Sequence, residues 1–342
     1  MNIIAMKYRR EFSKLYLLTS LFIISCLLAS PAIKSQEKLY FGVPAVANRQ
    51  TLENFWLPVL SDLSDSIGAP VEAVFFDDYS GATSAIRDDR IQLAWMGNKH
   101  AIETVKNTDS EVFAQVLNVI GVPGYYSLLI TQQSRNYENT EDVIKNINSI
   151  RFGFGHRNST SGTTVPLYYL FGKNEIATND LKSFRYANHE QNFLDVVDGK
   201  VDVATVSSIM MQRLKAKYSE KFNQVKVIWS SPLIPSDPLV WSNGLDVTLK
   251  NKIKAFFINY GKATPEKSAE KREKEKSNLS RMKYSGFKPS TNKQLQYVRI
   301  LDLFGKLQAI KTDSNLSSDE KKQRTAEIEL EIKNIESGKK AL

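Results

Sequence analysis

A chain of 342 residues that is 42% hydrophobic and 24% charged can bury two cores, and is neither disordered nor membrane-integral along its whole length. Its formal net charge of +9 is no nucleic-acid signature: twelve Lys/Arg against four Glu between Lys250 and Lys288 hold an excess of +8, at helical spacing and with few aromatics. That stretch reads as a solvated pair of surface helices, with a transporter or membrane-surface contact as the alternative, and no nucleic-acid partner is expected.

Residues 1–32 read as an export signal. Lys7, Arg9, Arg10 and Lys14 precede an apolar run from Leu15 to Leu28, and small residues up to Ala32 follow. At roughly 14 residues the run is short of the ~20 that a membrane-spanning helix needs. Cys26, the only cysteine, sits in Ile23-Ile24-Ser25-Cys26, which also fits a lipoprotein site. Cleavage after Ala32 leaves an exported chain with no thiol, so neither disulfide nor thiolate chemistry is available.

From Leu39 to about Ile130, short apolar runs alternate with amphipathic segments, the pattern of an α/β unit with a parallel sheet. Strands are expected at 39–46, 71–76, 92–97 and 112–121. Trp56, Leu57, Leu60, Leu63 and Ile67 mark the first helix, and 81–89 and 99–107 the next two. A second set begins near Tyr125: strands at 125–131, 150–155, 184–188, 201–206 and 225–230, with helices at 140–148, 161–173, 190–199 and 207–218 between them. After Pro232, Pro235 and Pro238 the chain continues through Leu239-Val240-Trp241 into a helix from Thr248 to Tyr260.

Two crossings, near 121–126 and 232–240, therefore join two α/β lobes, one of residues 38–122 plus 240–310 and one of 123–239. The tail, 311–342, carries Ile328, Ile332 and Ile335 on one helical face, a stripe that must pack on its own lobe or on a second subunit of a homodimer. No internal repeat is present. Ligands of open α/β sheets bind beyond the carboxyl ends of the strands, so the cleft between lobes is the expected site.

The most informative segment is Gly155-His156-Arg157-Asn158-Ser159-Thr160-Ser161-Gly162, between a strand and a helix. Ser159, Thr160 and Ser161 are N-cap residues by type, yet three successive hydroxyls exceed what one cap uses. Hydroxyls, free N–H groups and the helix dipole together suit a tetrahedral oxyanion. The Gly-Lys pair of a nucleotide loop is missing. His189 starts another helix at a strand end, where it is either structural or a donor to an anion; no second histidine makes it a zinc site. Tyr79 in Phe75-Phe76-Asp77-Asp78-Tyr79-Ser80-Gly81, and Ala94-Trp95-Met96-Gly97-Asn98, close two more strands in the same way. No cofactor is expected.

These blocks, in this order, resemble the periplasmic phosphonate-binding proteins of ABC transporters, the PhnD family. The similarity also takes in Pro123-Gly124-Tyr125, His189-Glu190, Asp202-Val203-Ala204-Thr205 and Val227-Ile228-Trp229-x-Ser231-Pro232-Leu233-Ile234-Pro235-x-Asp237-Pro238. The resemblance implies a two-lobed type II binding protein that is not an enzyme and delivers a phosphonate or phosphite to a membrane permease. It implies that Tyr79, Ser159, Thr160, Ser161 and His189 hold the phosphorus oxygens, with Tyr125 and Asp237 at the far end of the ligand. Where the aminoalkyl-phosphonate member has a glutamate, this chain has Ile209. Met96, in place of a tyrosine, is expected to alter the pocket floor. Two other functions share the pocket: a sensor signalling to a membrane receptor, and a phosphoester hydrolase using Ser159 with His189.

Overall fold

In the computed structural model, which describes residues 38–338, the chain begins with β1 (Leu39–Pro44), buried at five of six positions as a strand covered on both faces must be. The export signal and Cys26 lie outside the described residues. Helix α1 (Arg49–Ile67) follows, capped by the Asn48 side chain and ended by Gly68 at φ 73°. It buries Trp56, Leu60, Leu63 and Ile67 but leaves Leu57 47% exposed. Next come β2 (Val71–Phe76), α2 (Tyr79–Arg87), β3 (Leu93–Trp95), α3 (Asn98–Asn107) and β4 (Ser110–Asn118).

A short β5 (Gly124–Tyr125) leads to β6 (Ser127–Gln132), α4 (Thr140–Lys145) and β7 (Arg151–Phe154). The helix expected at 161–173 forms over 160–171 with π-type turns, and Pro166, which has no N–H to give, sits between two of them. Then follow β8 (Ser183–Tyr186), α5 (His189–Val197), β9 (Val203–Ser207), α6 (Ser208–Lys217), α7 (Ser219–Phe222) and β10 (Val225–Ser230). The chain returns through β11 (Ile234–Pro235) and β12 (Pro238–Ser242) to α8 (Val247–Asn259), α9 (Ala269–Met282), β13 (Tyr284–Pro289), α10 (Gln296–Thr312) and α11 (Ser318–Glu336).

Both sheets are mixed, not parallel as the alternation suggested. The first runs β13-β4-β12-β3-β1-β2, with β1 parallel to β2 and β3, β12 antiparallel between β3 and β4, and β13 antiparallel to β4. The second runs β10-β6-β9-β7-β8, with β7 parallel to β8 and β9 but β6 antiparallel to β9 and β10. Two of the antiparallel members, β6 and β12, are the strands that follow the two crossings. An antiparallel strand begins at the rim where its parallel neighbours end, so Ser127 lies opposite Ser207 and Leu239 opposite Trp95. The crossings also pair with each other, Tyr125 opposite Ile234 and Gly124 opposite Pro235. Chain entering and chain leaving are thus delivered to the rim that the strand-to-helix turns already occupy.

The tail stripe finds its cover within the chain: Ile332 and Ile335 of α11 are buried against Leu303 and Leu307 of α10, with Ile328 and Ile300 packed beside them. It therefore calls for no second subunit. The basic α9 is partly neutralised, Lys274 pairing with Asp62 at 2.8 Å and Lys267 with Glu275 at 2.6 Å. No helix among the described residues is long and apolar enough to cross a membrane.

Candidate functional site

Beyond β7 the chain turns back on itself, and the Gly155 N–H donates to the Gly162 carbonyl at 2.8 Å. The approach is so close that a Cβ on either glycine would lie 2.6 Å from the Cα of the other. Ser159 caps the following helical turn, its hydroxyl accepting from the Gly162 amide at 3.0 Å. Thr160 Oγ1 accepts from the Lys99 amide at 2.8 Å, across from the first turn of α3 in the other half of the molecule. A hydroxyl oxygen that accepts from a backbone N–H keeps its own proton for another acceptor. Ser161 places Oγ 3.5 Å from His189 Nε2, at the limit of a hydrogen bond.

Ser159, Thr160, Ser161 and His189 line a cavity of about 40 Å³, room for roughly three waters. All seven residues singled out in the sequence line it: Tyr79, Tyr125, Ser159, Thr160, Ser161, His189 and Asp237. Ile209 lines it too. Met96 does not: it is fully buried in the core, and its neighbours Trp95 and Gly97 face the cavity instead. Adjacent residues of a strand point to opposite faces, so Trp95 and Met96 were never both available. Sequence reasoning missed Val46, Ser207, Met210, Arg213 and Tyr284. Ser207 ends β9 and Tyr284 begins the antiparallel β13, so strand-end position was the usable signal for both.

Asp237 is the one carboxylate in the lining, and burial raises it to about 7, against a hydrogen bond with Tyr125 and the charge of Arg213. Burial, with Asp237 nearby, pushes the phenols of Tyr79 and Tyr125 well above their ordinary range, and burial takes Tyr284 up to about 12. All three therefore stay protonated donors. Burial lowers His189 to about 4, so its imidazole is neutral near pH 7. Asp237 Oδ1 and Trp95 Nε1 are buried with no hydrogen-bond partner among the described residues, although buried polar groups are nearly always satisfied. The cavity is thus a set of neutral donors at a helix start, one easily protonated carboxyl, and one cation, Arg213, in its lining.

This set suits capture of an oxyanion and does not suit hydrolysis. The serine nearest His189 is Ser161, not Ser159, and the charges acting on His189 are those of His156 and Arg213, with no carboxylate to orient it. No group of His, Cys, Asp and Glu able to hold a metal occurs among the described residues. Glu190, next to His189 in sequence, is bound elsewhere, to Lys217 Nζ and the Tyr218 hydroxyl at 2.7 Å each and to Asn48 Nδ2 at 2.9 Å.

Residues 41–295 match the model of a family described as the phosphonate ABC transporter periplasmic substrate-binding protein. The chain is 39% identical over 325 residues to the phosphonates-binding periplasmic protein of Escherichia coli K12, covering 95% of this chain and 94% of that one. Among solved structures, the binding-protein component of an ABC phosphonate transporter from Pseudomonas aeruginosa superposes with a TM-score of 0.81 at 38% identity, over 88% of this chain and 97% of that one. A Prochlorococcus marinus protein solved with methylphosphonate shares the fold, with a TM-score of 0.68 at 17% identity over 77% of this chain and 96% of that one.

Proposed function

The chain belongs to the periplasmic substrate-binding proteins of phosphonate ABC transporters, and from that premise we propose that its cleft captures phosphite or a small, amine-free phosphonate such as methylphosphonate. As a member of that family it is a binding component, not an enzyme, and it works in the periplasm with a membrane permease. The observation that carries the ligand class is the cavity itself: about 40 Å³, lined by hydroxyl and phenol donors, with Asp237 Oδ1 unpartnered. Hydrogen bonds to a charged group contribute roughly 1.5–3 kcal/mol each, so a few such donors suffice for tight capture.

Two lobes, 38–122 plus 240–310 and 123–239, close on the ligand about the paired crossings. Bonds that would have to break on opening support this: Lys99 N–H to Thr160, Asn48 to Glu190 at 2.9 Å, and Arg213 Nε to the Met282 carbonyl at 3.1 Å. Residues 1–32 direct export, with cleavage after Ala32; lipid attachment at Cys26 is the other processing route consistent with the sequence. Thermal-shift and calorimetric titration of the purified protein with phosphite, phosphate and a set of phosphonates tests the reading. A ligand held by the folded state stabilises it by about 2.7 kcal/mol at a hundredfold excess over Kd. A protein indifferent to every member of the set would overturn the proposal.

A further inference from the structure

Beside the binding cavity lies a larger one of about 470 Å³. Met210 and Arg213 line both, so these two residues stand between them. The second cavity is built from both halves of the molecule: Phe55 of α1, Glu190 of α5, Lys217 of α6, and Arg281 and Lys283 at the end of α9. Four of its charged groups are cations and one is a carboxylate. Glu190 is matched by Lys217 at 2.7 Å, whereas Arg213, Arg281 and Lys283 form no ion pair among the described residues. Arg213 is held by neutral groups, its Nε donating to the Met282 carbonyl and its guanidinium lying 4.8 Å from the Phe55 ring and 5.4 Å from the Tyr284 ring. It has no ion-pair partner in this cavity, and on the inner side Asp237 is the acidic group on which its charge acts.

We propose that this cavity is a vestibule, a transient site for the phosphorus oxyanion while the two lobes come together, and that Arg213 is the group the anion meets from both cavities. The proposal rests on the binding reading above and adds a route to it. A concave site of one charge sign focuses the field, raising the local anion concentration and the association rate by about 10–10³-fold. The inner cavity has a single cation in its lining and selects through neutral donors. Long-range attraction and selection thereby fall to adjacent compartments.

Stopped-flow fluorescence tests this, with Trp95 in the cavity wall as reporter and methylphosphonate and phosphite as ligands. The Arg281→Gln/Lys283→Gln variant should lower kon about three- to tenfold at low ionic strength, flatten its salt dependence, and leave koff within about twofold. Arg281→Gln alone, at an exposed side chain, should move kon in the same direction by less. Arg213→Gln should lower kon and also raise koff, because Arg213 belongs to both cavities. Lys252→Gln/Lys262→Gln removes the same charge at exposed positions outside the vestibule and should leave kon unchanged. An unchanged kon and salt dependence in the vestibule variants overturns the proposal, as does an equal slowing in the control. A parent protein that binds no phosphorus oxyanion overturns the binding reading and this one together.

Discussion

The Lys99 backbone amide donates to Thr160 Oγ1 at 2.8 Å, so the hydroxyl that ties α3 to the turn after β7 keeps its own proton for an acceptor, and its residue lines the cavity. Thr160→Val keeps the shape and removes both roles. A buried N–H left without a partner costs about 1–3 kcal/mol, and a lost bond to a charged ligand roughly 1.5–3 kcal/mol. The variant should therefore melt lower and bind phosphite or methylphosphonate at least tenfold more weakly by calorimetry. Thr160→Ser, which retains the hydroxyl, should stay within about threefold of the parent by the same reasoning. Parental affinity in Thr160→Val would remove Thr160 from the anion site.

Gly162 tests the turn by geometry alone. An added Cβ would lie 2.6 Å from the Gly155 Cα and 2.8 Å from Ser159 Oγ, and the first of these is backbone that cannot rotate away. Gly162→Ala should abolish measurable binding and lower the melting temperature. Gly305, in the middle of α10 with nothing within 4 Å of an added Cβ, provides the contrast. There an alanine should stabilise by about 0.5–1 kcal/mol, since a mid-helix glycine loses more backbone freedom on folding. A stabilising Gly162→Ala would show that the turn is not the tight closure described.

What the sequence made legible follows from where each residue's signal lies. Tyr79, Ser159, Thr160, Ser161 and His189 stand just beyond strands and start helices, a local pattern readable from one segment. Arg213 lies inside α6, and nothing in the spacing distinguishes it from a solvent-facing cation. Only the fold brings the Met282 carbonyl and the Tyr284 ring against it. The parallel-sheet expectation failed for a similar reason. Strand direction depends on which rim a crossing enters, and β6 and β12 enter from the strand-end rim. Burial of Ile332 and Ile335 against α10, likewise, is a question of partner that a stripe cannot answer.

Asp237 and His189 should give opposing pH dependences. With Asp237 at about 7 instead of 3.8, the unfolded chain loses a proton that the folded chain keeps between about pH 4 and 7, so this residue's contribution falls as pH rises. With His189 at about 4 instead of 6.5, the unfolded chain gains a proton that the folded chain refuses, so stability falls as pH drops from about 6.5 to 4. The two slopes offset each other over most of that window. Relative to the parent, Asp237→Asn should gain melting temperature toward pH 8 and lose it more steeply on acidification. His189→Gln should show the reverse, gaining at pH 4.5. Comparison with the parent cancels groups common to all, such as Asp202 beside Arg151. Parallel melting profiles for all three proteins would show that neither group carries the linkage.

Ile209 is predicted to set ligand choice. Its side chain lines the cavity and is 7% exposed, so it supplies an apolar surface where a charged ligand tail would need a carboxylate. Glu190 does not replace that charge, because Lys217, Tyr218 and Asn48 already occupy its two oxygens. Asp237 remains, and at about 7 it accepts from a P–OH group when ionised and donates to a phosphorus oxygen when protonated. It serves a small oxyanion in either state, whereas a buried ammonium with this single carboxylate opposite it would remain poorly compensated. Calorimetry should accordingly rank phosphite and methylphosphonate above 2-aminoethylphosphonate. Ile209→Glu should narrow or invert that ranking, by adding a carboxylate for the ammonium and repelling the small anions. Tighter binding of 2-aminoethylphosphonate than of both small ligands by the parent, or a ranking unmoved by Ile209→Glu, would show that selectivity is set elsewhere in the cleft.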